Sequence, residues 1–155
     1  MAELSLEQLE AFIVTAKAAT YVGDGASTEP SRAQSKDLVF EDGDFAYRDS
    51  YFGGADFIGE EIVWRRGEPV WAMNYYGYIL EPEKLSDEES GKVLKESLSK
   101  LYEEGRFLGG FRHQTELGLY VDTNEGDLTS FHGLEWTERD GKRLYELRYH
   151  GGLIR

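Results

Sequence analysis

Arg48-Asp49-Ser50-Tyr51 sets a cation, an acid and two hydroxyls side by side on a stretch that reads as a strand. Strand alternation continues the face of Phe45 and Tyr47 through Asp49 and Tyr51, which aims an acid at the apolar side. A carboxyl held there must be paired or must keep its proton to higher pH, and either outcome can mark a site. An Arg48–Asp49 structural pair accounts for the same residues. His113, His132 and His150 are the three histidines, and none stands in a metal-binding spacing such as H-E-x-x-H, so no metal or other cofactor is expected. His132 is expected to share a face with Leu134, Trp136 and Tyr149, either as a satisfied pocket-rim group or as a general base. His150 falls on the opposite face with Arg148 and Glu135. Ser50 or Ser130 could enter a Ser–His–Asp set, but the chain has no G-x-S-x-G elbow.

Aromatic residues supply the walls a ligand site needs. Trp64, Trp71, Tyr75, Tyr76 and Tyr78 crowd one segment, and Asn74 is the polar interruption able to orient a ligand. Alternating aromatics on strands also simply build sheet core. Paired glycines follow aromatics at Tyr51-Phe52-Gly53-Gly54, Phe107-Leu108-Gly109-Gly110 and Tyr149-His150-Gly151-Gly152. Such pairs either admit a ligand to the backbone or end strands in a twisted sheet. No phosphate-loop pattern is present.

The elements that must carry these residues follow from period and capping. Ser5-Leu6-Glu7-Gln8 opens a helix whose apolar positions Leu6, Leu9, Phe12, Ile13 and Ala16 recur to about Thr20, with Gly23 and Gly25 as its stop. Residues 23–36 read as a loop. From Leu38 the period becomes two, with a hairpin turning at Asp42-Gly43 and a second through Arg66-Gly67-Glu68-Pro69. Ser86-Asp87-Glu88-Glu89 caps a second helix, striped by Leu94, Leu98 and Leu101 and ended by Gly105. Strands at 117–121, 128–137 and 144–150 follow. The turn at Asp140-Gly141 is expected to set Trp136 opposite Tyr145, Leu134 opposite Leu147 and His132 opposite Tyr149. The fold expected is α+β: a curved antiparallel sheet of about 6–7 strands with two helices packed on it, in one domain over 1–155. No solenoid period is visible.

Composition narrows the partners. At 155 residues with 40% hydrophobic and 14% aromatic content, the chain has ample material for a core. Its formal charge of −13, with no compact basic run, opposes direct nucleic-acid binding. No apolar run approaches a membrane span, the opening residues do not read as a signal peptide, and a cytoplasmic location is expected. Without Cys there is no disulfide framework.

Four stretches together carry a family likeness: Ser35-Lys36-Asp37-Leu38; Tyr47 to Gly54 with Asp56-Phe57-Ile58-Gly59; Pro69 to Gly77; and Tyr145 to Gly152. They resemble a small prokaryotic family of uncharacterised domains, found alone or fused behind a helix-turn-helix DNA-binding domain. The resemblance implies a regulatory or ligand-sensing role and no known activity. The chain begins at the domain's first helix, so repressor function is not expected to transfer. Two functions are therefore expected. One is a non-enzymatic binding or sensor module for a small molecule or protein, with homodimerisation through an exposed sheet edge as a purely structural variant. The other is a small acid–base or hydrolytic enzyme using Asp49, His132 or Glu135 in an aromatic-lined pocket.

Overall fold

The computed structural model describes residues 3–22 and 26–155. Helix α1 (Leu6–Lys17) opens on Ser5, whose hydroxyl accepts from the Gln8 N–H at 3.3 Å. It runs on as one π-helical turn, Ala18–Val22; Gly23 and Gly25, expected as its stop, lie outside the described residues. Helix α2 (Asp87–Glu103) opens on the predicted capping box. Ser86 Oγ accepts from the Glu89 N–H and Glu89 Oε1 from the Ser86 N–H, each at 3.1 Å. Gly105, at φ 76°, turns the chain away after it.

Nine strands make up the rest of the described fold: β1 (Ala26–Thr28), β2 (Lys36–Asp42), β3 (Phe45–Gly53), β4 (Phe57–Arg65), β5 (Glu68–Ile79), β6 (Phe111–Thr115), β7 (Gly118–Asp127), β8 (Ser130–Arg139) and β9 (Lys142–Leu153). All pair antiparallel, in the order β1-β2-β3-β4-β5-β9-β8-β7-β6. The expected fold class therefore needs correction. The sheet has nine strands rather than six or seven, and it is open, with β1 and β6 as free ends, rather than curved or closed. The two strands that sequence periodicity passes over are those two edges. β1 is Ala-Ser-Thr, inside the stretch read as a loop, and β6 carries Arg112, His113 and Gln114. Short polar edges discourage pairing with other chains, and the same polarity removes the alternation that reveals a strand.

The order also exposes two like halves. Each is a helix followed by a four-strand meander, α1 with β2–β5 and α2 with β6–β9, and the halves join where β5 pairs with β9. Their central hairpins match in detail. Arg66-Gly67 (φ 51° and 84°) and Asp140-Gly141 (φ 54° and 75°) form two-residue turns with both residues left-handed. Each is followed by a bulge, at Val63/Trp64 and at Thr137/Glu138. The extra residues, Val70 and Leu144, offer their carbonyls to the Ile154 N–H at 2.9 Å and the Leu80 N–H at 2.8 Å.

The second bulge corrects the predicted register. Beyond it Thr137 pairs with Tyr145, Glu135 with Leu147, Gly133 with Tyr149 and His132 with His150. One inserted residue exchanges the two faces of β8. Glu135 thus turns inward, while His132, Leu134 and Trp136 turn out. In the first hairpin the tight turn is Gly43-Asp44, pairing Phe40 with Tyr47, a slip of two that leaves the faces unchanged.

Both helices cover one face. Leu9, Phe12, Ile13 and Ala16 of α1 and Val93, Leu94, Leu98 and Leu101 of α2 pack with Tyr47, Trp71, Phe131 and Tyr145 in one core. Phe12 stacks on Phe45 at 5.1 Å, and Trp71 on Phe131 at 5.9 Å.

Candidate functional site

The face that carries the core also carries four acids. Asp49 lies opposite Glu61 across β3 and β4, and Asp122 opposite Glu135 across β7 and β8. All four are buried. Lys17, on the last turn of α1 and 4% exposed, spans Glu61 with Nζ at 2.9 Å from both carboxylate oxygens. Tyrosines answer the acids one for one. Tyr47 donates to Glu61 and Tyr120 to Glu135. Tyr75 donates to Asp49 at 2.6 Å and Tyr149 to Asp122 at 2.7 Å. Tyr145 gives Glu135 a second donor at 3.2 Å, and the Asn124 amide donates to the Tyr149 oxygen at 3.0 Å.

Two glycines make this reach possible. Tyr75 on β5 must cross β4 to meet Asp49 on β3, and the residue it crosses is Gly59, its register partner. A Cβ there would stand 2.5 Å from the Tyr75 hydroxyl. Tyr149 on β9 crosses Gly133 on β8 to reach Asp122 on β7 in the same way, and a Cβ at Gly133 would overlap its ring. The need at both positions is space, not backbone conformation.

Burial sets the ionisation. It raises Asp49 to about 7, reinforced by the neighbouring Glu61 charge and opposed by the Tyr75 bond and Lys17. Glu135 rises to about 7 through burial and the charge of Asp122, against its tyrosine bonds and Lys17. Asp122 rises to about 6, again by burial, with Tyr149 and Asn124 opposing. Tyr47, Tyr120 and Tyr149 are pushed upward by burial and by adjacent carboxylates, so they stay protonated and act as donors. Carboxyls held near neutrality can both give and take a proton at physiological pH.

Tyr75 lines two cavities on this face. The smaller, about 50 Å³, is lined by Lys17, Glu61, Asp122, Glu135 and Tyr149 together with Leu98, Leu101 and Tyr102 of α2. The larger, about 370 Å³, has Asp49 in its wall with Leu38, Tyr51, Phe57, Ile79 and Leu94, and with Lys36 and Lys95. Among the described residues, no three His, Asp or Glu side chains are arranged to hold a metal ion.

The residues singled out from sequence are distributed unevenly around this site. Asp49 and Tyr51 line the larger cavity and Tyr149 the smaller, so the Tyr51–Gly54 and Tyr149–Gly152 segments face different cavities. Trp71 is wholly buried in the core, 5.9 Å from the Lys17 ammonium. Arg48 points to the outer face and pairs with Asp37 at 2.6 Å, not with Asp49. Asn74, Tyr76 and His150 sit with Arg148 along a shallow outer groove. His132 is exposed on that side, 3.4 Å from Glu125, and Trp136 lies under the Arg143 guanidinium at 3.8 Å. Asp49 and His132 therefore do not share a pocket. Sequence reasoning overlooked Lys17, Glu61, Asp122, Tyr47 and Tyr120. A signal for most of them exists: Tyr47-x-Asp49, Gly59-x-Glu61 and Tyr75-x-Gly77 recur as Tyr120-x-Asp122, Gly133-x-Glu135 and Tyr149-x-Gly151.

Fold and site together define an open α+β sheet of two like halves, enclosing a cluster of tyrosine-bonded carboxyls around an ammonium. Residues 49–154 match the family described as Domain of unknown function (DUF5680), and the chain belongs to that family. The match begins at Asp49 and takes in every acid of the cluster, leaving Lys17 and Tyr47 before it. No curated protein and no solved structure matches the chain. Among the described residues, no helix is long and apolar enough to cross a membrane.

Proposed function

We propose that this domain binds a small organic molecule in the larger cavity and performs acid–base chemistry on it, with Asp49 as the group that moves the proton. One observation carries the reading: a buried carboxyl raised to about 7, held by the Tyr75 hydroxyl at 2.6 Å, opens on a cavity of about 370 Å³. That volume lies within the range of small-molecule sites, and the mixture of aromatic and aliphatic walls with a few polar groups suits an apolar body carrying one reactive position. Tyr75 orients the Asp49 carboxyl, and Glu61 beside it keeps the proton affinity high. A carboxyl tuned in this way contributes general acid or base catalysis at neutral pH.

The test is an untargeted one. The protein is incubated with pooled metabolites, and consumption is followed by mass spectrometry for the wild type and for Asp49→Asn, which keeps shape and removes the proton-transfer group. A compound consumed by the wild type and spared by the variant, with a rate that titrates near pH 7, is the expected result. Consumption equal in both proteins would sink the assignment of Asp49.

Occupancy without turnover, as in a sensor coupled to the helix-turn-helix fusion that the family resemblance implies, is the second reading. It is favoured by the tyrosine hydroxyls, each of which holds one of the carboxyls in a hydrogen bond. A compound that stabilises wild type and Asp49→Asn alike, and is recovered unchanged, would establish it.

A further inference from the structure

The two halves agree in their helices as well as in their strands. Ser5 and Ser86 cap α1 and α2 through the same hydroxyl contact three residues on. From those caps six buried positions coincide: Leu9, Phe12, Ile13, Ala16, Lys17 and Thr20 in the first half answer to Ser90, Val93, Leu94, Ser97, Leu98 and Leu101 in the second, while buried Val14 answers to exposed Lys95. Lys17 and Leu98 are thus the same position of the repeated unit.

Their surroundings repeat too. Glu61, bonded by Tyr47 and paired across the sheet with Asp49, corresponds to Glu135, bonded by Tyr120 and paired with Asp122. In the first half the charge of this set is met by the Lys17 ammonium, bridging both oxygens of Glu61 at 2.9 Å. In the second half the corresponding side chain is Leu98, which brings no charge. Tyr145 supplies Glu135 with another hydrogen-bond donor at 3.2 Å, which satisfies a lone pair, and the Lys17 ammonium acts on Asp122 and Glu135 through space without bonding either, so their charge is met only in part. Beside Leu98 lies the cavity of about 50 Å³, walled by three acids, Glu61, Asp122 and Glu135, against the single ammonium of Lys17, and by the rings of Tyr102 and Tyr149. A single water needs about 10–15 Å³ of such space, so this cavity suits a group of a few heavy atoms. Acids backed by aromatic faces make a recognition surface for an organic cation.

We propose that the cavity beside Leu98 receives a small primary ammonium group, free or as the head of a larger amine, which does for Asp122 and Glu135 what Lys17 does for Glu61. The inference rests on reading these cavities as the ligand site, but not on turnover. The ligand's ammonium docks in the smaller cavity, on the other side of Tyr75 from the larger one where Asp49 stands.

Methylammonium chloride is the probe, titrated by calorimetry and by thermal melting against sodium chloride and tetramethylammonium chloride at matched ionic strength. Methylammonium is expected to bind saturably and to raise the melting temperature by at least about 2 °C, the response of a domain this size to a modest ligand term. Sodium and the bulky tetramethylammonium are expected to do neither. Glu135→Gln, close to isosteric, should lose the response, and Leu98→Lys, which supplies a tethered ammonium at the equivalent position, should lose it as well. A wild type that responds no more to methylammonium than to sodium overturns the inference, and so does a response kept by Glu135→Gln, even should Leu98→Lys fail to fold. Asp49-dependent turnover without a methylammonium response defeats this inference alone. A methylammonium response without Asp49-dependent turnover defeats only the acid–base reading.

Discussion

Tyr75 and Tyr149 are direct partners in the ladder that joins the two halves, and their hydroxyls part from there, one toward Asp49 and the other toward Asp122. Each ring lies across a glycine of the next strand, so the polar cluster is built outward from this pair. Both tyrosines line the smaller cavity, and their hydroxyls set the acids in place.

Adding one methyl beneath either ring should therefore dislodge it. Gly59→Ala and Gly133→Ala are each expected to lower unfolding free energy by about 1–3 kcal/mol, the usual cost of overpacking. The larger effect is expected at Gly133, whose Cβ would meet the ring itself. Urea denaturation measures this, with Tyr75→Phe and Tyr149→Phe separating the hydrogen bond from the clash. Midpoints unchanged by both glycine substitutions would refute the packing argument.

Lys17 and Glu61 are 4% and 2% exposed, and removing one leaves the other as an uncompensated buried charge. Lys17→Met is expected to cost about 3–5 kcal/mol. Adding Glu61→Gln should recover part of that loss, giving a coupling visible in a double-mutant cycle. Strictly additive losses would show that the pair contributes no more than its separate packing.

Stability should fall as pH rises from about 4 to about 7. Asp49 moves from an ordinary 3.8 to about 7, Asp122 from 3.8 to about 6 and Glu135 from 4.5 to about 7. Between those values the folded protein holds protons that the unfolded chain has released, so raising pH favours unfolding until the folded groups have titrated as well. Each contributes a slope of at most about 1.4 kcal/mol per pH unit. Denaturant curves from pH 4.5 to 8 check the trend, which Asp49→Asn combined with Glu135→Gln should flatten. A wild type that gains stability over this range contradicts the assignment.

Asp37 works in the opposite sense. Burial pushes its carboxyl up, but bonds from Ser35, Ser31 and Arg48 outweigh that and hold it well below the usual carboxylate range. Its contribution is present above about pH 4 and disappears as pH falls through the depressed folded value. Asp37→Asn should lower stability at pH 7 and leave it closer to wild type in strong acid, which acid-unfolding curves followed by circular dichroism would reveal.

Much of this architecture is legible in the order of the residues. Both helix starts follow from Ser5 and Ser86, because a capping hydroxyl and its partner three residues on are local chemistry. The central strands follow from alternation, and the inward aim of Asp49 follows from continuing it. The repeated Tyr-x-Asp, Gly-x-Glu and Tyr-x-Gly triplets align the two halves, although the glycine pairs after Tyr51 and Tyr149 suggest a different correspondence. The edges β1 and β6 are not legible, since a strand that must resist pairing sheds the apolar alternation that would mark it.

By itself, then, the sequence determined the residue classes, the helix starts, the turns at Arg66-Gly67 and Asp140-Gly141, and the family. Tertiary structure alone decided which side chains meet. The bulge after Asp140-Gly141 turned Glu135 inward and His132 outward, because one inserted residue reverses every later side chain. Arg48 went to Asp37 and Asp49 to Tyr75 because register, not adjacency, brings groups together across a sheet. Lys17 became the cation of the cluster only through the packing of α1 over strands far along the chain, and no local pattern encodes that meeting.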